Sequence, residues 1–266
     1  MARKADRKKK HRARAAPSRG KEKGPGAFRS DAVAEIPGPL TVGMLYLRVR
    51  ALITELGRPL AAVVLLVELP LIVLLLSGDP THGVAPMLYG LIALIGSAAA
   101  IHLALQHHRR EKRSLGRALK TAVSCYIGLI AALLFSQLMV MAFALLLIVP
   151  GVMRAVGYAL IPPLIVSGDS YGIDALGESL RWMKGYRMTA FKAFVLAWLP
   201  AIAWQALYGA IFGFDRLLGG EAGDLSAGMR TVDTLFHGLY PVVELPVTLL
   251  QVALYWEIRG RRSTPA

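Results

Sequence analysis

Six long stretches of this chain carry few charges, and they constrain its fold more than any other feature. An α-helix needs about 20 apolar residues to cross roughly 30 Å of hydrocarbon. Hydrophobic residues make up 55% of the 266 residues, whereas soluble domains are usually about 45–50% apolar. The predicted spans are residues 59–77, 87–107, 119–149, 152–167, 189–212 and 235–257. The sequence therefore predicts an all-α polytopic membrane bundle.

Two of the predicted spans have unusual lengths. The span 119–149 is too long for a simple crossing, so it is expected to tilt or to project from the membrane. The span 152–167 would cover only about 24 Å, and Pro162-Pro163 interrupts it. An alternative is that 152–167 is re-entrant, which would leave five spans.

Positive charge is concentrated at the N-terminus. The chain has a net charge of +14, and residues 1–30 contain twelve Lys or Arg against Asp6 and Glu22. Such a segment has too little apolar surface to repay the entropy of ordering, so residues 1–39 are predicted to be a disordered polybasic tail. The tail can act as a cytoplasmic topology anchor or bind anionic membrane lipids. Nothing in it specifies binding to nucleic acid.

Loop charges predict the orientation. The loop 107–117 contains five Lys or Arg, the tail 259–266 contains three, and the loop 78–86 contains none. Because cytoplasmic loops are enriched in Lys and Arg, six spans with both termini in the cytoplasm fit best. This divides the chain into the basic tail, a membrane domain over 40–258 and a short basic tail over 259–266.

A further helix is predicted before the first span. In residues 40–58, Leu45, Val49, Leu52 and Leu56 share one face, and Arg48 and Arg58 lie mostly away from it. This periodicity is typical of an amphipathic helix. We expect such a helix to lie on the cytoplasmic membrane surface.

Sequence motifs for catalysis are absent. The chain has no His-Glu-x-x-His word and no phosphate-binding loop, and its only cysteine is Cys125. We therefore predict a protein without catalytic, cofactor-binding or metal-binding residues, and without a cofactor. His102 falls inside the second span; it is expected to be a core residue first and a proton-transfer group second.

The word Val-Glu-Leu-Pro occurs twice, and each copy places a carboxylate inside a predicted span. Glu68 and Glu244 both fall near the expected midplane, where a charge costs roughly 2.5–3.5 kcal/mol. Both are predicted to face the bundle interior beside a partner, and Arg154 is the favoured one. In a structural interpretation they fix helix packing. In a functional interpretation they line a path for a cation, a proton or a lipid headgroup.

The stretch 145–191 combines a Pro-Gly helix end, an Arg one turn later, a short Pro-containing span and an amphipathic segment. It resembles the YciC-like family of bacterial multi-pass inner-membrane proteins and the related membrane domain of some glycerophosphodiester phosphodiesterases. The matching positions are Pro150, Gly151, Arg154, Pro162, Ala175, Leu176, Ser179 and Gly185. The family's acidic-Gly turn is replaced here by Ser167-Gly168-Asp169. The resemblance implies a six-span fold in a bacterial inner membrane and implies no catalytic residues.

These observations favour a non-catalytic protein with an accessory or membrane-organising role. Its expected partners are membrane lipids, anionic ones through the basic tail, and either a protein partner or a second copy of the chain. The alternative is a small transporter or channel that uses Glu68 and Glu244. An intramembrane enzyme ranks third, because no nucleophile, metal site or acid–base pair is visible.

Overall fold

The computed structural model describes residues 39–76, 85–213 and 227–263, and in this part the protein is entirely helical apart from turns and short connections. Only the backbone is described for residues 68–76, 85–89, 227–231, 234–235, 237–239 and 241. Nearly all of the predicted basic tail, 1–38, lies outside the described residues, as does most of the loop 78–86. The helices are α1 Val42–Leu76, α2 Ala85–His108, α3 Leu115–Leu146, α4 Ile148–Gly157, α5 Ile161–Ser167, α6 Asp174–Trp182, α7 Arg187–Phe212 and α8 Ala227–Ser263. The predicted all-α class is confirmed for these residues.

Four helical segments of the described chain are long and apolar enough to cross a membrane. They are Gly90–His108, Leu115–Leu146, Ile148–Ser167 and Arg187–Phe212. Residues 59–76 of the first predicted span fall within α1 and the span 235–257 falls within α8, and many side chains of both lie outside the described residues. The count of six spans therefore stays a prediction.

The predicted surface helix over 40–58 is not a separate element. Val42–Leu76 forms one continuous helix, and a single buried stripe runs along it from Leu45 through Leu52 to Val67. Pro59 does not break the helix, although it lacks the N–H that would bond the Glu55 carbonyl. The Arg113 guanidinium donates a hydrogen bond to that carbonyl instead, at 3.0 Å. Contacts with α7 and α8 then hold this half of α1 inside the bundle.

Helices α3, α4 and α5 form a hairpin. Leu147 is the one extended residue between α3 and α4, and the chain then folds back along α3. Gly151 makes the close approach possible, since a Cβ there would lie 2.7 Å from the Ala144 Cβ and 2.8 Å from its Cα. The long predicted span 119–149 thus contains a helix, a tight turn and the start of the returning arm.

The returning arm is broken where the sequence predicted an interruption. Helix α4 ends at Gly157 and α5 begins at Ile161, immediately before Pro162-Pro163. The buried Ser179 hydroxyl of α6 joins the two helix ends. It donates to the Gly157 carbonyl at 2.7 Å and accepts from the Leu160 N–H at 3.2 Å. These bonds satisfy backbone groups that the break between α4 and α5 leaves without helical partners.

One end of the bundle, here called the charged end, gathers ion pairs from distant helices. Arg48 pairs with Glu257 at 3.0 Å, His107 lies 2.8 Å from Glu55, and Arg259 pairs with Asp169 at 2.5 Å. The Tyr255 hydroxyl also donates to Asp169. The charged end therefore connects the start of α1, the end of α2, the turn after α5 and the end of α8.

Candidate functional site

A cavity of about 310 Å³ lies between α1, α2 and α8, and Glu244 is the acidic residue in its wall. Val63, Val64 and Val67 contribute the α1 side, and Gly90, Ala93, Leu94, Gly96 and Ser97 contribute the α2 side. The α8 side consists of Tyr240, Glu244, Leu245 and Thr248. The walls are mostly apolar, so the carboxyl group stands out as their strongest polar feature.

Glu244 is half-buried and hydrogen-bonded along its own helix. The Tyr240 hydroxyl, one helical turn earlier, donates to the Glu244 carboxyl. The side-chain amide of Gln205 from α7 bonds in turn to Tyr240. Among the described residues that line the cavity there is no Lys, Arg or His. The carboxyl group therefore meets hydroxyl and aliphatic neighbours there.

The second carboxylate of the repeated word is only partly described. Glu68 belongs to α1, but its side chain lies outside the described residues. Val67, which precedes it in the chain, is buried and lines the Glu244 cavity. The expectation that both carboxylates serve one site stays a prediction.

Arg154 does not pair with Glu244. Its guanidinium carbon lies 4.4 Å from the centroid of the Phe143 ring. The hairpin turn between α3 and α4 causes this, because it brings Arg154 back along the arm that carries Phe143. A cation over an aromatic face is a stabilising contact of its own. The predicted pairing of Arg154 with Glu244 was therefore wrong, since it took no account of the hairpin, and a pairing with Glu68 stays a prediction.

His102 lies in α2 and lines neither this cavity nor the crevice described below. Its ring is half-buried, and Nδ1 makes no hydrogen bond within the described part of the chain. Across residues 39–76, 85–213 and 227–263, no group of three His, Cys, Asp or Glu side chains is placed to hold a metal ion. The structure does not bring His102 to the candidate site.

A second space, here called the crevice, has a volume of about 320 Å³ and lies between the α3–α5 hairpin and the pair α7–α8. Leu133, Val140, Val156, Phe194 and Val247 give it apolar walls, and Gln137 and Gln251 place an amide on each side. Gln137 and Trp198 are both exposed. The crevice can therefore be reached from outside the bundle.

The positions that carry the family resemblance hold the hairpin together. Ser179 joins α4 to α5, Gly151 permits the close turn, and Ala175 is fully buried. Gly185 has φ +90°, a conformation that side chains rarely adopt. Leu176 packs against the core, Pro162 lies in the first turn of α5, and Pro150 lies in α4. These positions have packing roles that need no chemistry.

Sequence reasoning missed three features of the structure. Tyr240 lies four residues before Glu244, so helical spacing could have identified it as a partner. The crevice could not have been found in this way, since residues from five helices line it. The contact between Asp169 and Tyr255 joins residues 86 apart in sequence, and no local pattern marks it.

Comparison with known proteins gives no relative. The chain matches no protein-family model, no curated protein and no solved structure. The likeness to YciC-like proteins therefore stays a prediction based on the residues of the hairpin.

Proposed function

We propose that this protein is a non-catalytic integral membrane protein that binds a membrane lipid in the crevice and so organises the bilayer or a partner around it. The crevice itself is the observation that carries the proposal. It combines apolar walls, two amides and a rim that includes the exposed Gln137 and Trp198. In a bilayer, the molecules that reach such a rim from the side are lipids.

The lining of the crevice suits part of a lipid. Its volume of about 320 Å³ lies near the lower end of ordinary ligand pockets, about 300–1,000 Å³. It is expected to hold one segment of an acyl chain with its ester linkage, while the rest of the lipid stays in the bilayer. Amide N–H groups of Gln137 and Gln251 can donate to ester or phosphate oxygens.

The proposed setting is a bacterial inner membrane, crossed six times, with both termini in the cytoplasm. The four apolar helical segments support a membrane location, and the loop charges support the orientation. The twelve basic residues of the tail would attract anionic lipid at about 1 kcal/mol each near the surface. A protein partner or a second copy of the chain would then bind to the lipid-covered bundle.

Filling the crevice tests the lipid proposal. Ala155 lines the crevice and is exposed, so Ala155→Phe should occupy its space without disturbing the core. Ala142→Phe is the matched control, because Ala142 is exposed on α3 and does not line the crevice. Lipids retained by the purified proteins are counted by native mass spectrometry. We expect Ala155→Phe to lose one bound lipid and Ala142→Phe to keep it; equal retention would exclude the crevice as the site.

A second candidate function is a small transporter or channel, and the cavity beside Glu244 favours it. Carboxylates inside a membrane bundle are typical of ion and proton paths. Flux of cations through proteoliposomes separates this function from lipid binding. A transporter should lose its flux in Glu244→Gln and keep it in Ala155→Phe, whereas a lipid-binding protein should give no specific flux at all.

A further inference from the structure

The carboxyl group of Glu244 lies in a mostly apolar cavity, where a charge needs a neutralising partner. A charged carboxylate in apolar surroundings is stable only when it is paired and hydrogen-bonded. Glu244 has a hydrogen bond from Tyr240, but the described wall of its cavity contains no cationic side chain. Arg154, the expected partner, lies over Phe143 in the hairpin.

The cavity has oxygen atoms left over for a ligand. A carboxylate offers about four acceptor positions, and Tyr240 occupies one of them. The Ser97 hydroxyl donates its proton to the Leu94 carbonyl at 3.0 Å, so its oxygen can only accept. Thr248 adds another hydroxyl to the same wall. Several oxygens with free lone pairs around one space are what a cation binds.

The space itself is built by small residues on α2. A Cβ added at Gly90 would meet no heavy atom within 4 Å, whereas one at Gly96 would lie 3.3 Å from a Val67 methyl carbon. Gly96 therefore serves the packing of α2 on α1. Gly90 makes no such close contact with another helix. Because it has no side chain, the volume that it lines together with Glu244 stays open.

We propose that the cavity between α1, α2 and α8 is a binding site for a singly charged cation held by the Glu244 carboxylate. One positive charge neutralises the one carboxylate of the described cavity wall, whereas a divalent ion would exceed it by one charge in apolar surroundings. The cavity volume of about 310 Å³ accepts a metal ion with part of its hydration shell or a small alkylammonium group. Both bring one positive charge to the oxygen lone pairs, and the choice between them is an outcome of the test.

This site is independent of lipid binding in the crevice, because the two spaces have no lining residue in common. A transporter would use this cation site, but the proposal does not require that an ion crosses the membrane. A failure of the lipid experiment with Ala155→Phe leaves it unaffected, and a failure of the test below leaves the lipid proposal unaffected.

The experiment measures the thermal unfolding midpoint of the purified full chain while one cation replaces another at constant ionic strength. The probes are sodium, potassium and methylammonium chloride, each balanced with N-methylglucamine, a bulky cation. A ligand that binds only the folded protein raises the midpoint. We expect at least one probe to raise it by about 5 °C at a hundredfold excess over its dissociation constant.

Two variants locate the effect. Glu244→Gln removes the charge and keeps the shape, and Gly90→Leu fills the open volume and keeps the carboxylate. Gly116→Leu is the control, since a Cβ at that helical position of α3 also meets no atom within 4 Å, but Gly116 does not line the cavity. The proposal requires the first two variants to lose the shift and the third to retain it.

Three results would overturn the proposal: no probe shifts the native protein, Glu244→Gln shifts as the native protein does, or Gly90→Leu does so. If Gly90→Leu fails to fold, Glu244→Gln alone decides, because glutamine preserves the size and hydrogen bonding of the side chain. A shift with methylammonium alone would identify an organic amine as the ligand class, and a shift with sodium or potassium would identify a metal ion.

Discussion

The α1–α8 pair buries its apolar surface against other helices, whereas the α3–α4 hairpin leaves its apolar tip exposed. In the first pair, the stripe from Leu45 to Val67 is buried against its neighbours, and an ion pair closes the charged end. In the hairpin, residues Leu145–Val149 at the tip are 66–86% exposed. Both regions consist of aliphatic helix, so composition alone does not separate a surface that packs against protein from one that is available to lipid.

The comparison predicts that one substitution has very different effects in the two regions. Leu52→Ala removes a side chain that is 2% exposed, and the lost burial and the cavity should reduce the free energy of unfolding by about 3 kcal/mol. Leu146→Ala removes one that is 76% exposed, so its effect should stay below about 0.5 kcal/mol. Denaturant unfolding in detergent micelles measures both. Equal losses would mean that the hairpin tip is packed against protein.

A second prediction concerns the ion pair that closes the α1–α8 pair. Glu257 is 1% exposed and Arg48 is 44% exposed. Removing one member of a buried ion pair leaves an unpaired charge and costs about 3–5 kcal/mol of stability. Because water reaches the exposed arginine, the cost here should be about 2 kcal/mol. Arg48→Met should therefore destabilise more than Arg48→Met combined with Glu257→Gln, as a double-mutant cycle on the unfolding midpoint can show. If the losses of Arg48→Met and Glu257→Gln alone simply add in the double variant, the pair is not coupled.

A third prediction is that the hairpin depends on close contacts despite its exposure. Gly151→Ala would place a methyl group within 3 Å of Ala144 atoms, and overpacking of this kind costs about 1–3 kcal/mol. Gly177→Ala in α6 is the control, since a Cβ there meets no atom within 4 Å, and alanine favours a helix. Unfolding midpoints should fall for Gly151→Ala and stay or rise for Gly177→Ala. The opposite order would contradict the tight turn.

The smallest effect on stability is expected from cysteine labels that report the topology. In a Cys125→Ser background, cysteines at Thr81 and Gly223 should react with a membrane-impermeant reagent added to intact cells, and cysteines at Ser114 and Ser263 should not. The asymmetry of loop charges is the reason. Labelling at Ser263 from outside would exclude six spans with both termini in the cytoplasm, and it would favour an odd number of crossings.

Local signals in the sequence predicted much of the helical architecture. The break in 152–167 follows from Pro162-Pro163, which cannot continue a helix. The stripe along α1 follows from its 3.6-residue periodicity. The same signals failed over residues 40–58, where a separate surface helix was predicted but α1 continues through Pro59. The Arg113 side chain from the loop after α2 compensates for the missing N–H, and this compensation depends on a distant residue.

The candidate site was predicted only in part for the same reason. An acidic residue within an apolar run is visible in the sequence, so Glu244 could be named. Its surroundings could not, because the cavity exists only where α1, α2 and α8 meet beside a glycine. The partner of Arg154 was also misjudged, since the turn at Leu147 brings Phe143 next to it.

The sequence by itself determined the helical class, the apolar segments, the charged loops and the unusual carboxylate in α8. Each of these depends on residues within a few turns of one another, where periodicity and charge act directly. Only the tertiary structure decided that 42–76 is one helix, that α4 folds back along α3, and that Arg48 meets Glu257 across 209 residues. Such contacts depend on how the helices pack. Aliphatic side chains can replace one another, so they carry little information about which helices become neighbours.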